Sequence, residues 1–242
     1  MKITTAMIMA AGFGSRMMPI TKMIAKPMIK INQISLIEYM MQKLYEAGVN
    51  KIIINLHHQA ILLQDFVINA EISKKFEIIF SYEAIPLEAG GIVKALDYFD
   101  EATFYVVNSD IIWLEQDEKL LTKMANYWDE DKMDILLSLH KMDQVLGHDG
   151  KGDFNLSDDN RIIVNDDLKN YFFSGLRIVT KKLFLGRDVA KFHFFKDLLF
   201  RNRPVKDNIV DRVYGLVHND LCYDIGNLNG LSIAREQLGK MM

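Results

Sequence analysis

Ala-Met-Ile-Met-Ala-Ala-Gly-Phe-Gly-Ser-Arg-Met-Met-Pro-Ile-Thr-Lys-Met-Ile-Ala-Lys-Pro, residues 6–27, starts as an apolar run, breaks into small residues, and then delivers two separated cations, Arg16 and Lys26. It reads as a strand feeding a loop that holds phosphate. Gly12 and Gly14 lack a Cβ, so backbone N–H groups can turn toward an anion at close range. Arg16 adds a planar fork of donors suited to phosphate oxygens, and Lys26 adds a point charge on a flexible stem. A polyphosphate matches that set. A dinucleotide-binding loop would carry a third glycine where this chain has Met17, and a P-loop would end in Gly-Lys-Ser/Thr, so both are disfavoured. Taken alone, Gly-x-Gly leaves open a plain strand-to-helix turn with solvated charges beside it.

A chain of 242 residues is long enough for one large core and short enough not to split into two, so a single domain over 1–242 is expected. Half of the residues are hydrophobic and a quarter charged, the balance of an ordinary globular protein. The formal net charge of -3, without a long basic run, argues against a nucleic-acid partner and leaves room for a local basic pocket. The lone Cys222 cannot form an internal disulfide, and its setting in an apparent strand suits a small buried hydrophobe. The N-terminus lacks the apolar stretch of a signal peptide, and no segment approaches the roughly 18 uncharged apolar residues of a membrane span. A protein of the reducing cytoplasm, with no membrane partner and no implied protein partner, is the expectation.

Downstream, Ser35-Leu-Ile-Glu38 has the spacing of a capping box and opens an amphipathic helix that ends at Gly48. Lys51 to Leu56 reads as a strand buried on both faces, which makes a β-loop-α-β unit of a parallel sheet covered by helices. His57 and His58 are adjacent, and neighbours of this kind do not share a metal as an i, i+4 pair does. Ala60 to Ile72 reads as a helix and Phe76 to Tyr82 as a strand. Glu83-Ala-Ile-Pro-Leu-Glu-Ala-Gly-Gly91 follows, either a turn reading a nucleobase edge or an ordinary connection into a helix through Phe99.

Thr103 to Val107 is a fourth buried strand, closed by Asn108-Ser-Asp110. Ligands in open α/β sheets bind outside the carboxyl ends of the strands, which is where Asp110 falls. A carboxylate there suits Mg²⁺, which takes one or two carboxylates plus substrate phosphates. A helix over Gln116 to Trp128 and a strand over Met133 to His140 come next. The polar, glycine-rich run Lys141 to Asp153 reads as a lid or acceptor-binding loop, or as a solvated connection. Phe154 to Leu156 and Arg161 to Val164 form a hairpin, and Tyr171 to Val179 is a strand with Ser174-Gly175 at its centre, where a glycine marks close approach. Lys191 to Arg203 reads as a core-packing helix whose aromatic residues have no functional role. Val210 to Val217 and Leu221 to Tyr223 are the last strands. The second delivers Asp224-Ile-Gly226 ahead of a helix starting near Asn227, repeating the arrangement of Asp110.

Four segments, in order and over nearly the whole chain, resemble the sugar-1-phosphate nucleotidyltransferases: Ala10-Ala-Gly-Phe-Gly-Ser-Arg16 with Lys26-Pro27, Pro86-Leu-Glu-Ala-Gly-Gly91, Val107-Asn-Ser-Asp110, and Tyr223-Asp-Ile-Gly226. Gly150-Lys-Gly-Asp-Phe154 and Phe173-Ser-Gly175 are similar to stretches of the short-chain N-acetylmuramate-1-phosphate uridylyltransferases of peptidoglycan recycling. The resemblance implies a single-domain, Rossmann-like α/β fold of the nucleotide-diphospho-sugar transferase, or GT-A-like, type. Its mixed, mainly parallel central sheet would be flanked by helices. Residues 1–115 would form the nucleotide part and 116–242 the sugar-phosphate part, with no appended β-helix. It implies condensation of a nucleoside triphosphate with a sugar-1-phosphate, releasing pyrophosphate. Arg16 and Lys26 would be catalytic, with Ala10, Ala11, Gly12, Gly14, Glu88, Gly90 and Asn108 on the nucleotide. Asp153 and Gly175 would face the sugar, and Asp110 and Asp224 would hold Mg²⁺. UTP with a muramyl or glucosamine-type sugar is preferred by likeness, and GTP with mannose-1-phosphate is the nearest competitor.

Some positions depart from the family pattern. Ala25 stands where Pro-Lys-Pro is common, Met18 where a basic or polar residue is frequent, and the Gly90-Gly91 turn is one glycine short of the uridylyltransferases. Asn108-Ser-Asp110 also resembles a weakened Asp-x-Asp of a glycosyltransferase, the second reading. A non-catalytic sensor of nucleotide sugars is the third.

Overall fold

The structure, a computed structural model, describes residues 2–116, 118–164, 169–200, 205–206 and 208–238. Twelve strands carry its frame: β1 (Thr5–Met9), β2 (Lys51–Leu56), β3 (Glu77–Tyr82), β4 (Thr103–Asn108), β5 (Ile111–Trp113), β6 (Ile135–Lys141), β7 (Val145–Leu146), β8 (Asn155–Leu156), β9 (Arg161–Ile163), β10 (Tyr171–Thr180), β11 (Ile209–His218) and β12 (Cys222–Asp224). The large sheet runs β8-β9-β11-β6-β10-β4-β1-β2-β3. Within it β3, β2, β1, β4, β6 and β11 share one direction, and β10 is inverted between β4 and β6. This is the mixed, mainly parallel α/β sheet that the resemblance implies, and its parallel strands are those read from the aliphatic runs. A smaller sheet, β5-β12-β7, sits beside it.

Both faces of the large sheet are covered, which explains why its strands carry no polar alternation. Ala6 and Ile8 of β1 pack with Ile37, Met40, Met41 and Leu44 of helix α1 (Leu36–Glu46). Met7, pointing the other way, joins Ile92, Val93 and Phe99 in the second layer. The Ser35 hydroxyl accepts from the Glu38 N–H and the Glu38 carboxylate accepts from the Ser35 N–H, so the capping box forms and fixes the start of α1. A third cluster, with Met17, Ile29, Leu36, Tyr223, Ile225 and Leu231, underlies the glycine-rich loop and ties it to α5 (Leu228–Leu238) through β12. The intervening helices are α2 (Ala60–Asn69), α3 (Gly90–Lys94) and α4 (Leu120–Tyr127).

Several expected elements come out differently. The helix expected to Ile72 stops at Asn69, where a 3-10 turn, Glu71–Lys75, takes over. The run after Lys141 is not a free loop, because Val145–Leu146 pairs in parallel with Cys222 and Tyr223. Gly147 then packs against Gly230 at positive φ. Ile111–Trp113, assigned to no element from the sequence, pairs with β12 as a strand. The segment expected to be a core helix over Lys191–Arg203 is a π-type helix over Phe194–Phe200, and residues 201–203 lie outside the described residues. No helix among the described residues is long and apolar enough to cross a membrane.

Candidate active site

The glycine-rich loop leaves β1 at its carboxyl end and winds over the third cluster. Gly14 sits at φ 63, the left-handed region, and a Cβ there would come within 2.8 Å of Thr21 Cγ2, so glycine is required. The carbonyl of Gly14 accepts from the Met17 N–H and from the Thr21 hydroxyl, both at 2.8 Å, which winds the loop upon itself. Arg16 rides on the short turn Ser15–Met17 that results. At Gly12 a Cβ would meet nothing within 4 Å, because Gly12 faces the open side of the loop.

A buried polar chain couples this loop to the turn at residues 83–91. The Ala10 N–H donates to Asn55 Oδ1 (2.7 Å), Asn55 Nδ2 donates to Glu83 Oε1 (2.7 Å), and the Leu87 N–H donates to Glu83 Oε2 (2.7 Å). Burial pushes the Glu83 carboxyl above the usual carboxylate range, and the two donors work against that shift. The adjacent histidines reinforce the same neighbourhood, with His57 Nδ1 2.9 Å from the Glu83 carbonyl and His58 Nε2 2.7 Å from the Thr21 carbonyl. Glu88 takes φ 54 and pairs with Lys191 at 3.1 Å.

The two strand-end carboxylates come from the two sheets. Asp110 Oδ2 accepts from Lys26 Nζ at 2.6 Å. Asp224, almost fully buried, accepts from the Gly226 N–H at 2.8 Å through one oxygen, and the other lies 2.9 Å from His148 Nδ1. The Ile225 N–H donates to the Asp110 carbonyl at 2.9 Å, which locks the two carboxylate-bearing turns side by side. The Arg16 guanidinium reaches the same place, since a Cβ built on Gly226 would lie 2.7 Å from Asp224 Oδ1 and 3.1 Å from Arg16 Nη2.

These elements enclose a cleft of ≈ 350 Å³ outside the carboxyl ends of β1 and β4. Of the residues singled out from the sequence, Ala10, Ala11, Gly12, Gly14, Arg16, Lys26, Glu88, Asn108 and Asp110 line it. Gly90 does not. A Cβ on Gly90 would lie 1.8 Å from the Ala190 carbonyl oxygen, so this glycine serves the packing of the turn against residues 190–192. Asp153 and Gly175 do not line the cleft either. Asp153 Oδ2 accepts from the Phe173 N–H at 2.8 Å and its carboxyl is raised chiefly by burial, while Gly175, at φ 78, packs against the side chain of Asn108. Asn55, Glu83 and His148 escaped the sequence reading. Their only local signal was polarity at the end of a buried strand or inside a loop, and the Asn55–Glu83 and His148–Asp224 contacts span 28 and 76 residues.

The nucleotidyl transferase family profile matches residues 5–144. The chain is 33% identical over 165 residues to the N-acetylmuramate alpha-1-phosphate uridylyltransferase of Caulobacter vibrioides, a match covering 66% of this chain and 68% of that one. It is 29% identical over 109 residues to the mannose-1-phosphate guanyltransferase of Hypocrea jecorina, covering 44% of this chain and only 30% of that protein. Among solved structures, HddC from Yersinia pseudotuberculosis complexed with GMP-PN superposes with a TM-score of 0.76 at 26% identity, over 98% of this chain and 100% of that one.

Proposed function

The chain belongs to the nucleotidyl transferase family, and on that premise we propose that it condenses UTP with N-acetylmuramate-1-phosphate to give a nucleotide sugar and pyrophosphate. The observation that carries the reading is the convergence of Arg16, Lys26 and Asp110 on one cleft beside the glycine-rich loop, with Asp224 at its margin. The choice of base and sugar rests on the uridylyltransferase relative. GTP with mannose-1-phosphate is the second reading, favoured by the guanyltransferase relative and by the GMP-PN bound to HddC.

In the proposed reaction an oxygen of the sugar phosphate attacks the α-phosphorus of the triphosphate. The bond from that phosphorus to the bridging oxygen breaks, and pyrophosphate leaves with the electron pair. Two anions must be aligned and the growing negative charge neutralised, and no protein nucleophile is required. Backbone N–H groups of residues 10–14 cradle the triphosphate, and Arg16 stabilises the charge that accumulates on it. Lys26 bridges the two reacting phosphates, exchanging Asp110 for them. Glu88 and Asn108 contact the nucleotide, while Asp153 and Gly175 face the sugar.

The donor set fits Mg²⁺. Asp110 and Asp224 present carboxylate oxygens on adjoining turns and would hold the ion together with substrate phosphates. Bound there, the ion would neutralise phosphate charge and fix the phosphates against each other. A reducing cytoplasm suits the buried, unpaired thiol of Cys222.

The test is pyrophosphate release from purified protein with Mg²⁺, crossing UTP, GTP, CTP, ATP and dTTP with a panel of sugar-1-phosphates. Release that needs both partners, fastest with UTP and N-acetylmuramate-1-phosphate, is the expected result. Release fastest with GTP and mannose-1-phosphate would install the second reading.

A further inference from the structure

Arg177 is a buried cation without an anion. It lies on β10, two residues beyond Gly175, and is 5% exposed. Among the described residues no carboxylate pairs with it, and burial alone pulls its guanidinium down to about 9. Its contacts are weak for a charged group. Nη1 is 3.4 Å from both Asn108 Oδ1 and the Gly175 carbonyl, and Nε, fully buried, has no hydrogen-bond partner. The rings of Phe194 and Phe173 have centroids 4.5 Å and 5.8 Å from the guanidinium carbon. Cation–π contact offsets part of the desolvation of a guanidinium and leaves its directed N–H donors unspent.

The position of this group is what gives it meaning. The β10–β6 pairing is irregular between Phe173 and Arg177, and the pairing of β10 with β4 sets Leu176 opposite Val107, which brings Gly175 against the side chain of Asn108 at the end of β4. Asn108, which receives Arg177, also lines the cleft, so the guanidinium lies behind that part of the cleft wall. Phe194, read from the sequence as plain core, thereby becomes part of a cation's enclosure. Fully desolvated charges persist in folded proteins when they are paired, and an unpaired one is expensive to keep.

We propose that Arg177 is the anion-recognising residue of the acceptor half of the cleft, taking an oxyanion of the incoming sugar, either its phosphate or a carboxylate on the sugar. This rests on the reading of the cleft as a sugar-1-phosphate nucleotidyltransferase site. The planar fork of Arg177 matches both oxyanions bidentately.

The test measures acceptor binding by calorimetry, and acceptor and triphosphate KM by pyrophosphate release, in wild type, Arg177→Met and Arg177→Lys. The acceptors are N-acetylmuramate-1-phosphate, N-acetylglucosamine-1-phosphate and N-acetylmuramate. Replacing a lone buried charge by a hydrophobic side chain of similar length is often stabilising, so Arg177→Met is expected to fold with an unchanged or raised Tm. Its acceptor KM is expected to rise about thirtyfold. Triphosphate KM should stay near the wild-type value, and Arg177→Lys should recover part of the loss. A loss confined to the two muramyl compounds identifies the carboxylate as the anion, and a loss confined to the two phosphates identifies the phosphate. Unchanged acceptor binding in Arg177→Met, or in Arg177→Lys should the first not fold, overturns the proposal. Wild-type protein that turns over no sugar-1-phosphate overturns the reading beneath it instead.

Discussion

Lys26 Nζ lies 2.6 Å from Asp110 Oδ2, so the cation assigned to the reacting phosphates and a carboxylate assigned to Mg²⁺ hold each other. The pair is partly exposed, with side chains 12% and 25% accessible, and such a pair contributes little to folding. Lys26→Ala and Asp110→Asn are each expected to lower kcat at least about a hundredfold, on the order of 3 kcal/mol of transition-state stabilisation, while Tm moves by only a few degrees. Combining the two changes should cost far less than the sum of the separate losses, because they disable one assembly. Steady-state kinetics on the three variants checks both statements.

Asn55 ties the Ala10 N–H to the Glu83 carboxylate inside the fold. Asn55→Ala strands a buried donor and a buried acceptor, so unfolding free energy should drop by about 2 kcal/mol. Since both loops held by Asn55 border the triphosphate side, KM for the triphosphate should rise more than KM for the acceptor. Denaturant unfolding and paired KM measurements test this.

Two glycines of the same neighbourhood should respond in opposite ways. Gly90→Ala drives a Cβ into the Ala190 carbonyl 1.8 Å away, and a loss of about 2 kcal/mol of stability or more is expected. Gly12→Ala meets nothing within 4 Å, so the protein should fold normally and lose activity because the new methyl group occupies the face offered to phosphate. Thermal melts and turnover on both variants separate the packing role from the binding role.

That contrast marks the limit of what was legible beforehand. Sequence pattern located the glycine-rich loop after β1, the buried parallel strands and the Ser35–Glu38 cap, because each is written locally in period, composition or spacing. It also placed Asp110 and Asp224 at strand ends, a rule of topology. It did not separate Gly12 from Gly90, since the difference lies in whether residue 190 comes close in space. Asn55, His148 and Arg177 were silent for the same reason: their partners are brought in by sheet order. Ile111–Trp113 and Val145–Leu146 are too short to show a period and become strands only by flanking Cys222–Asp224.

Burial holds the imidazole of His140 down at about 4, against a usual value of 6.5. As pH falls below 6.5 the unfolded chain takes up a proton that the folded protein refuses until about 4, so this residue makes stability fall as pH falls through that window. The full effect is on the order of 3 kcal/mol. Urea unfolding across the window should show that slope, and His140→Gln should flatten it.

The central claim is transfer of a nucleotidyl group to a sugar phosphate, and the most direct measurement follows the label from UTP radiolabelled at the α-phosphorus, with N-acetylmuramate-1-phosphate and Mg²⁺. The account predicts that the label moves into a compound carrying both uridine and the sugar, one unlabelled pyrophosphate being released for each. A label that stays in UTP with every sugar-1-phosphate offered, while the protein releases UDP from a UDP-sugar, would contradict it and point to a glycosyltransferase.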